Sequence, residues 1–167
     1  PGMWMADLTT LYPEYLSDLS VLCDPSSENG EKLRKELEKP SIDLKAVAMI
    51  AGKDMVYLGT AVADEADIQS LAKARASGAD LTKDIVLPKR TLYRLREGIA
   101  RFLITDTRNP AAVPKVESEI PIMFNASYVH VPKGKNVLYL DGHVSFVRYG
   151  QFPVTRAVDE ALGLPTE

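Results

Sequence analysis

His130, Asp141 and His143 are the residues of this chain whose types and spacing invite chemistry. The two histidines are all the chain has, and with a carboxylate beside them they suggest a metal or acid–base site. Nothing in the sequence fixes a third ligand or an orienting partner, and Asp141 is also needed as a turn former ahead of Gly142. Asp106, Asn109 and Asp141 carry oxygens that suit calcium, without the regular ligand spacing of an EF-hand loop. Ser145 sits in a strand pattern. Cys23 precedes Asp24-Pro25, and an acidic neighbour raises a thiol pKa rather than activating it. Pro132-Lys133-Gly134-Lys135 is too short for a phosphate cradle and lacks the Walker spacing. No motif demands catalysis.

These residues must be positioned by one element above all, the run from Asn136 to Phe146. It is two β-prone segments joined by Asp141-Gly142, a strong hairpin signal. A two-residue type I′ loop there needs positive φ at both loop positions. It would pair Leu140 with His143, Tyr139 with Val144, Leu138 with Ser145 and Val137 with Phe146. The predicted core face is then Val137, Tyr139, Val144 and Phe146, and the half-wet face is Leu138, Leu140, His143 and Ser145.

Around the hairpin the pattern predicts helices first and a β-meander after. Leu8, Leu11, Tyr12 and Tyr15 form a helical stripe that Pro13 interrupts. Asp24 to Gly30 is turn chemistry, Glu31 to Glu38 a charged helix ended by Pro40, and Met55 to Thr60 a strand. Asp64 and Glu65 open a helix with Ile68, Leu71 and Arg75 on one face and Gly78 beyond its end. Leu81 to Leu87 is ambiguous. Thr91 caps a predicted amphipathic helix with Leu92, Leu95, Ile99 and Phe102 inward. Thr105 to Pro114 reads as a loop, Ile120–Phe124 and Tyr128–Val131 as short strands, and Ala157–Leu162 as a closing helix.

The bulk numbers exclude several function classes. At 167 residues and 46% apolar composition the chain has the material for one α+β domain with a real core. A formal charge of −3 gives no basic footprint for nucleic acid or for an anionic membrane surface. No run reaches the ~18–20 apolar residues of a spanning helix. A single cysteine rules out an intrachain disulfide and a multi-cysteine zinc site. The opening Pro1-Gly-Met-Trp-Met5 is not a signal peptide and reads like a cut edge, as if a targeting or anchoring segment preceded it.

Several stretches resemble a known family. They are Leu92-Tyr-Arg-Leu-Arg-Glu-Gly-Ile-Ala-Arg-Phe-Leu-Ile-Thr-Asp106, Ile120-Pro-Ile-Met-Phe124, and the run from His130 through Asn136, Asp141, Gly142 and His143 to Phe146. Leu11-Tyr-Pro-Glu-Tyr-Leu16 and the Leu22-Cys-Asp-Pro-Ser26 turn add to them. Together they are similar to the prepilin- or pseudopilin-like proteins of planctomycete and verrucomicrobial type with a C-terminal His-x9-Asp-Gly domain, relatives of the type II secretion pseudopilins. Here the interval from His130 to Asp141 holds ten residues, and Asn125 stands where Asp would be expected.

The resemblance implies a non-enzymatic globular head, with His130, Asn136, Asp141, Gly142 and His143 organising the C-terminal sheet. It also implies a leader and an apolar helix before the head, inner-membrane anchoring with the head periplasmic, and other pilin-like subunits and secretion machinery as partners. No cofactor is implied apart from calcium, which some such heads hold near the C-terminal sheet. Two other readings stay open. One is an extracytoplasmic glycan- or ligand-binding module using aromatic groups around Trp4, Tyr128 or Tyr149. The other is a metal-dependent hydrolase using His130 and His143.

Overall fold

The computed structural model describes residues 4–88, 90–103, 112–128 and 131–166, with the side chains of 112–115 left aside. Its frame is a four-stranded antiparallel sheet of Met55–Tyr57 (β1), Pro121–Asn125 (β4), Gly134–Tyr139 (β5) and Val144–Arg148 (β6), in the order β1-β4-β5-β6. Ile85–Val86 (β2) and Thr91–Leu92 (β3) form a separate two-stranded ribbon. The α+β reading holds. The meander is β4-β5-β6, and β1 joins its β4 edge from the first half of the chain.

Register decides which side chains meet the core. Val56 pairs with Phe124, Phe124 with Val137, and Val137 with Ser145. Val56, Phe124 and Val137 are buried on this face, where Ile68, Leu71, Val158 and Leu162 close over them. Those covering residues come from Glu65–Ala76 (α3) and Arg156–Leu162 (α6), both foreseen from the sequence. Asp64 caps α3 by accepting from the Asp67 amide, and Thr155 caps α6 by accepting from that of Val158. The Thr155 hydroxyl also donates to Glu65 at 2.5 Å, tying the two helix starts together.

A second layer lies towards the N-terminus. Leu8, Leu19, Leu22, Leu33, Val47 and Ala51 bury one another. They come from two 3-10 turns, Leu8–Thr10 and Leu19–Leu22, and from Glu28–Leu37 (α1) and Leu44–Ala51 (α2). The stripe from Leu8 to Tyr15 does not make a helix: Asp7 and Asp18 cap single turns by accepting from Thr9 and Ser20, and Pro13 follows directly. Helix α1 starts earlier than expected, because Ser27 accepts from the Asn29 amide and opens it inside the supposed loop. Helix α2 carried no sequence expectation.

The amphipathic helix expected from Thr91 to Phe102 is replaced by extended chain. Ala61 N–H donates to Tyr93 O and Leu95 N–H to Gly59 O, so 91–95 runs alongside residues 59–61. Asp84 fixes it from the other side, accepting from Arg94 N and twice from the Arg96 guanidinium at 2.8 and 3.0 Å. Gly98, at φ 72°, then breaks the path before the short helix Ala100–Leu103 (α4). Phe102 is consequently exposed rather than inward. Periodicity lost to tertiary hydrogen bonds. The remaining helix is Ala112–Glu119 (α5), where the sequence suggested the end of a loop.

Asp80 and Asp141 each fold a loop onto a carboxylate, and acid should loosen both. Hydrogen bonds from the Thr82 hydroxyl and amide hold the Asp80 carboxyl down, to about 2 from 3.8. The His143 amide and ring do the same to Asp141. A carboxyl whose folded pKa lies below its unfolded value contributes stability above the unfolded value, and that contribution fades as pH falls through the folded one. The protection factor of the Thr82 amide is therefore expected to fall between about pH 4 and pH 2, and that of the His143 amide to fall below about pH 4, before those of the sheet amides do. Equal protection of all these amides down to global unfolding would contradict it.

Candidate functional site

The hairpin tip is where the sequence placed most of its chemistry, and it differs by one residue from expectation. Leu138 pairs with Val144, Val137 with Ser145 and Asn136 with Phe146. Tyr139 N–H donates to His143 O and Gly142 N–H to Tyr139 O, so the loop has three residues, Leu140, Asp141 and Gly142. Gly142 has φ 88°, and no other residue type in the described chain has positive φ. The type I′ turn is thus corrected to a three-residue loop closed by a left-handed glycine.

The reason lies in Asp141. Its Oδ1 accepts from the His143 amide at 3.1 Å, a local turn bond that suits negative φ at the aspartate. Replacing Gly142 by Ala should cost about 1 kcal/mol, read as a lower urea midpoint, because positive φ is unfavourable for any Cβ-bearing residue. No heavy atom lies within 4 Å of the added carbon, so the penalty is conformational. Gly142→Asn should cost less.

The slip exchanges the faces of β6, while Val137 and Tyr139 of β5 keep the core side expected of them. Lys135, Val137 and Val147 point to the core, while Leu138, Val144 and Phe146 lie on the opposite face, where Val144 is 64% and Phe146 39% exposed. His143 stacks flat on Tyr139, ring centroids 4.4 Å apart, and its Nδ1 lies 2.6 Å from Asp141 Oδ1. Aspartate and histidine therefore bind each other at the exposed tip. Asn136 is exposed on β5, and its amide donates to Asn125 Oδ1 at 2.9 Å, a strand-to-strand bond. His130, Asp106 and Asn109 lie outside the described residues, and with them the histidine pair and the calcium set.

The opposite sheet face carries an open apolar groove. It measures about 670 Å³, with Met55, Met123, Leu138 and Val144 as its floor. The N-terminal layer gives the wall, through Leu11, Tyr15, Leu16 and Val21. Tyr15 is 81% and Val21 59% exposed at its rim. An apolar surface of this continuity is uncommon on a face that stays in water.

The aromatic groups proposed for a ligand groove are dispersed. Trp4 is buried, its indole donating to Leu162 O at 3.1 Å under the Arg75 guanidinium. Tyr128 is half-buried and meets the partly exposed Tyr149 edge-on, with the Lys133 ammonium over both rings at 4.9 and 4.3 Å.

One cluster escaped the sequence reading. Lys135 and Asp159 are both fully buried, with Nζ 2.5 Å from Oδ1. The Lys135 ammonium also donates to Ala126 O at 3.2 Å and faces the rings of Tyr128 and Phe124 at 4.5 and 5.7 Å. The Tyr128 hydroxyl donates to the second Asp159 oxygen. Burial holds the Lys135 ammonium below its ordinary pKa against the upward pull of Asp159. The Tyr128 hydroxyl is raised, by burial first and by the neighbouring carboxylate second. A signal was available: with Val137 inward, strand alternation sends Lys135 inward too.

Neither the family models, the curated proteins nor the solved structures contain a match to this chain. Among the described residues no group of three or more His, Cys, Asp or Glu is placed to hold a metal, and no helix is long and apolar enough to cross a membrane.

Proposed function

We propose that this chain is the non-enzymatic head of a pseudopilin-like subunit in a type II secretion or type IV pilus-like assembly. The observation that carries the reading is the open apolar face of the antiparallel sheet, floored by Met55, Met123, Leu138 and Val144 and walled by the N-terminal layer. A groove of that form fits an apolar helix, the element that the family resemblance supplies to such heads. Seating a helix there removes apolar surface from water at about 25 cal/mol per Å². The sequence resemblance supplies the rest of the reading: inner-membrane anchoring through that helix, a periplasmic head, and other pilin-like subunits as partners. The hairpin chemistry agrees with a structural role, since Asp141 and His143 engage each other and Gly142 shapes the turn.

Methionine methyl NMR tests the groove. Titration with a soluble helical peptide bearing one leucine-rich face is expected to shift the methyls of Met5, Met55 and Met123, which line the groove. Met49, which lines a different surface, should stay in place. Leu138→Asp should abolish the shifts. Unmoved groove methyls, or shifts that survive Leu138→Asp, would contradict the proposal.

A further inference from the structure

We infer that the Lys135 amine and the Asp159 carboxyl condense into an intramolecular amide, a covalent staple between β5 and α6 that loses one water. The inference is independent of the assembly reading and rests on the buried cluster alone. Nζ lies 2.5 Å from Oδ1, so the amine and the carboxyl it would join are already held in contact. Both side chains are fully buried, and the rings of Phe124 and Tyr128 flank the nitrogen. An apolar surround favours the neutral amine, which is the nucleophilic form, and it disfavours keeping two charges. Lowering of the Lys135 pKa by burial agrees with this.

The step balances without an outside reagent. One ammonium proton passes to Oδ1, leaving a neutral amine and a neutral carboxyl. The nitrogen lone pair then attacks Cγ while the Tyr128 hydroxyl, donating to Oδ2, stabilises the developing oxyanion. On collapse the bond from Cγ to Oδ1 breaks, a second nitrogen proton joins that oxygen, and water departs. The product satisfies the same partners. Its remaining N–H keeps Ala126 O as acceptor, and its carbonyl, the former Oδ2, keeps the Tyr128 hydroxyl. The buried ion pair is replaced by a neutral amide in a place that excludes the water needed for hydrolysis.

Intact mass under denaturing conditions, followed by tryptic mapping, tests the staple. The purified protein is expected to weigh one water less than its sequence, with a linked peptide joining residues 134–148 to 157–167. Lys135→Arg should have its full mass, and Tyr128→Phe should show a smaller linked fraction at equal times. The full sequence mass in the unaltered protein after prolonged incubation would overturn the inference. So would a water loss that maps to a cyclic imide at Asp141-Gly142, or linking in Tyr128→Phe as fast as in the unaltered protein.

Discussion

Lys135→Met is expected to lower the unfolding free energy by about 3–5 kcal/mol, because it strands the Asp159 carboxylate in the core without its partner. Asp159 lies on α6 among Val158 and Leu162, and its two oxygens are engaged by Lys135 and by the Tyr128 hydroxyl. Losing the ammonium leaves a charge that must stay uncompensated, take up a proton, or open the contact between α6 and the sheet. Domains of this kind are stable by only about 5–15 kcal/mol, so the single change removes a large share. Any amide between the two residues is lost with it. Adding Asp159→Leu should recover part of the deficit, since no buried charge is then left over. Urea unfolding of the two variants reads both effects. A Lys135→Met protein within about 1 kcal/mol of the unaltered one would mean that Lys135 is not buried against Asp159.

Gly30→Ala is expected to be nearly as damaging, at about 3 kcal/mol, the upper end of what overpacking costs. Gly30 sits in the first turn of α1, where an added Cβ would lie 1.8 Å from the backbone carbonyl oxygen of Asp24. That oxygen cannot move alone. Asp24 is buried, its carboxylate accepts from Ser26 at 2.8 Å, and its carbonyl accepts from Ser27 N. The same corner holds Asp54, which accepts from the Ser27 hydroxyl and the Asn29 amide group at 2.8 Å each. Ala126 N–H donates to the Asp54 carbonyl, so the corner links the N-terminal layer to the end of β4. Amide exchange should show the damage concentrated in residues 24–37 and 54. Stability unchanged in Gly30→Ala would contradict the close approach.

The parts of the fold that were legible in the sequence are those set by local signals. Asp64 and Gly78 bracket α3, Asp141-Gly142 marks the hairpin, and Ala157 to Leu162 falls within α6. The parts that were not legible depend on contacts distant in sequence. Leu92, Leu95 and Ile99 have helical spacing, yet hydrogen bonds to residues 59–61 and to Asp84 hold their segment extended. The hairpin was recognised and its register missed by one, because the same Asp-Gly pair serves two- and three-residue loops. That slip concealed the groove. It turned Val144 outward to line an apolar groove and Phe146 outward beside it in sequence, while Lys135 faces inward by alternation with Val137 in either register. Of the residues first singled out, Asp141, Gly142 and His143 meet at the tip, and Asn136 joins β5 to Asn125.

The proposal that this chain is the head of a pilin-like subunit, serving an apolar helix, is tested most directly by the gene itself. Sequencing the reading frame upstream of the codon for Pro1 should reveal a short basic leader ending in Gly. Phe-Thr-Leu-like residues and an apolar helical stretch of about 20 residues should follow in frame. An initiator codon immediately before Pro1, or an upstream segment without that leader and helix, would contradict the account.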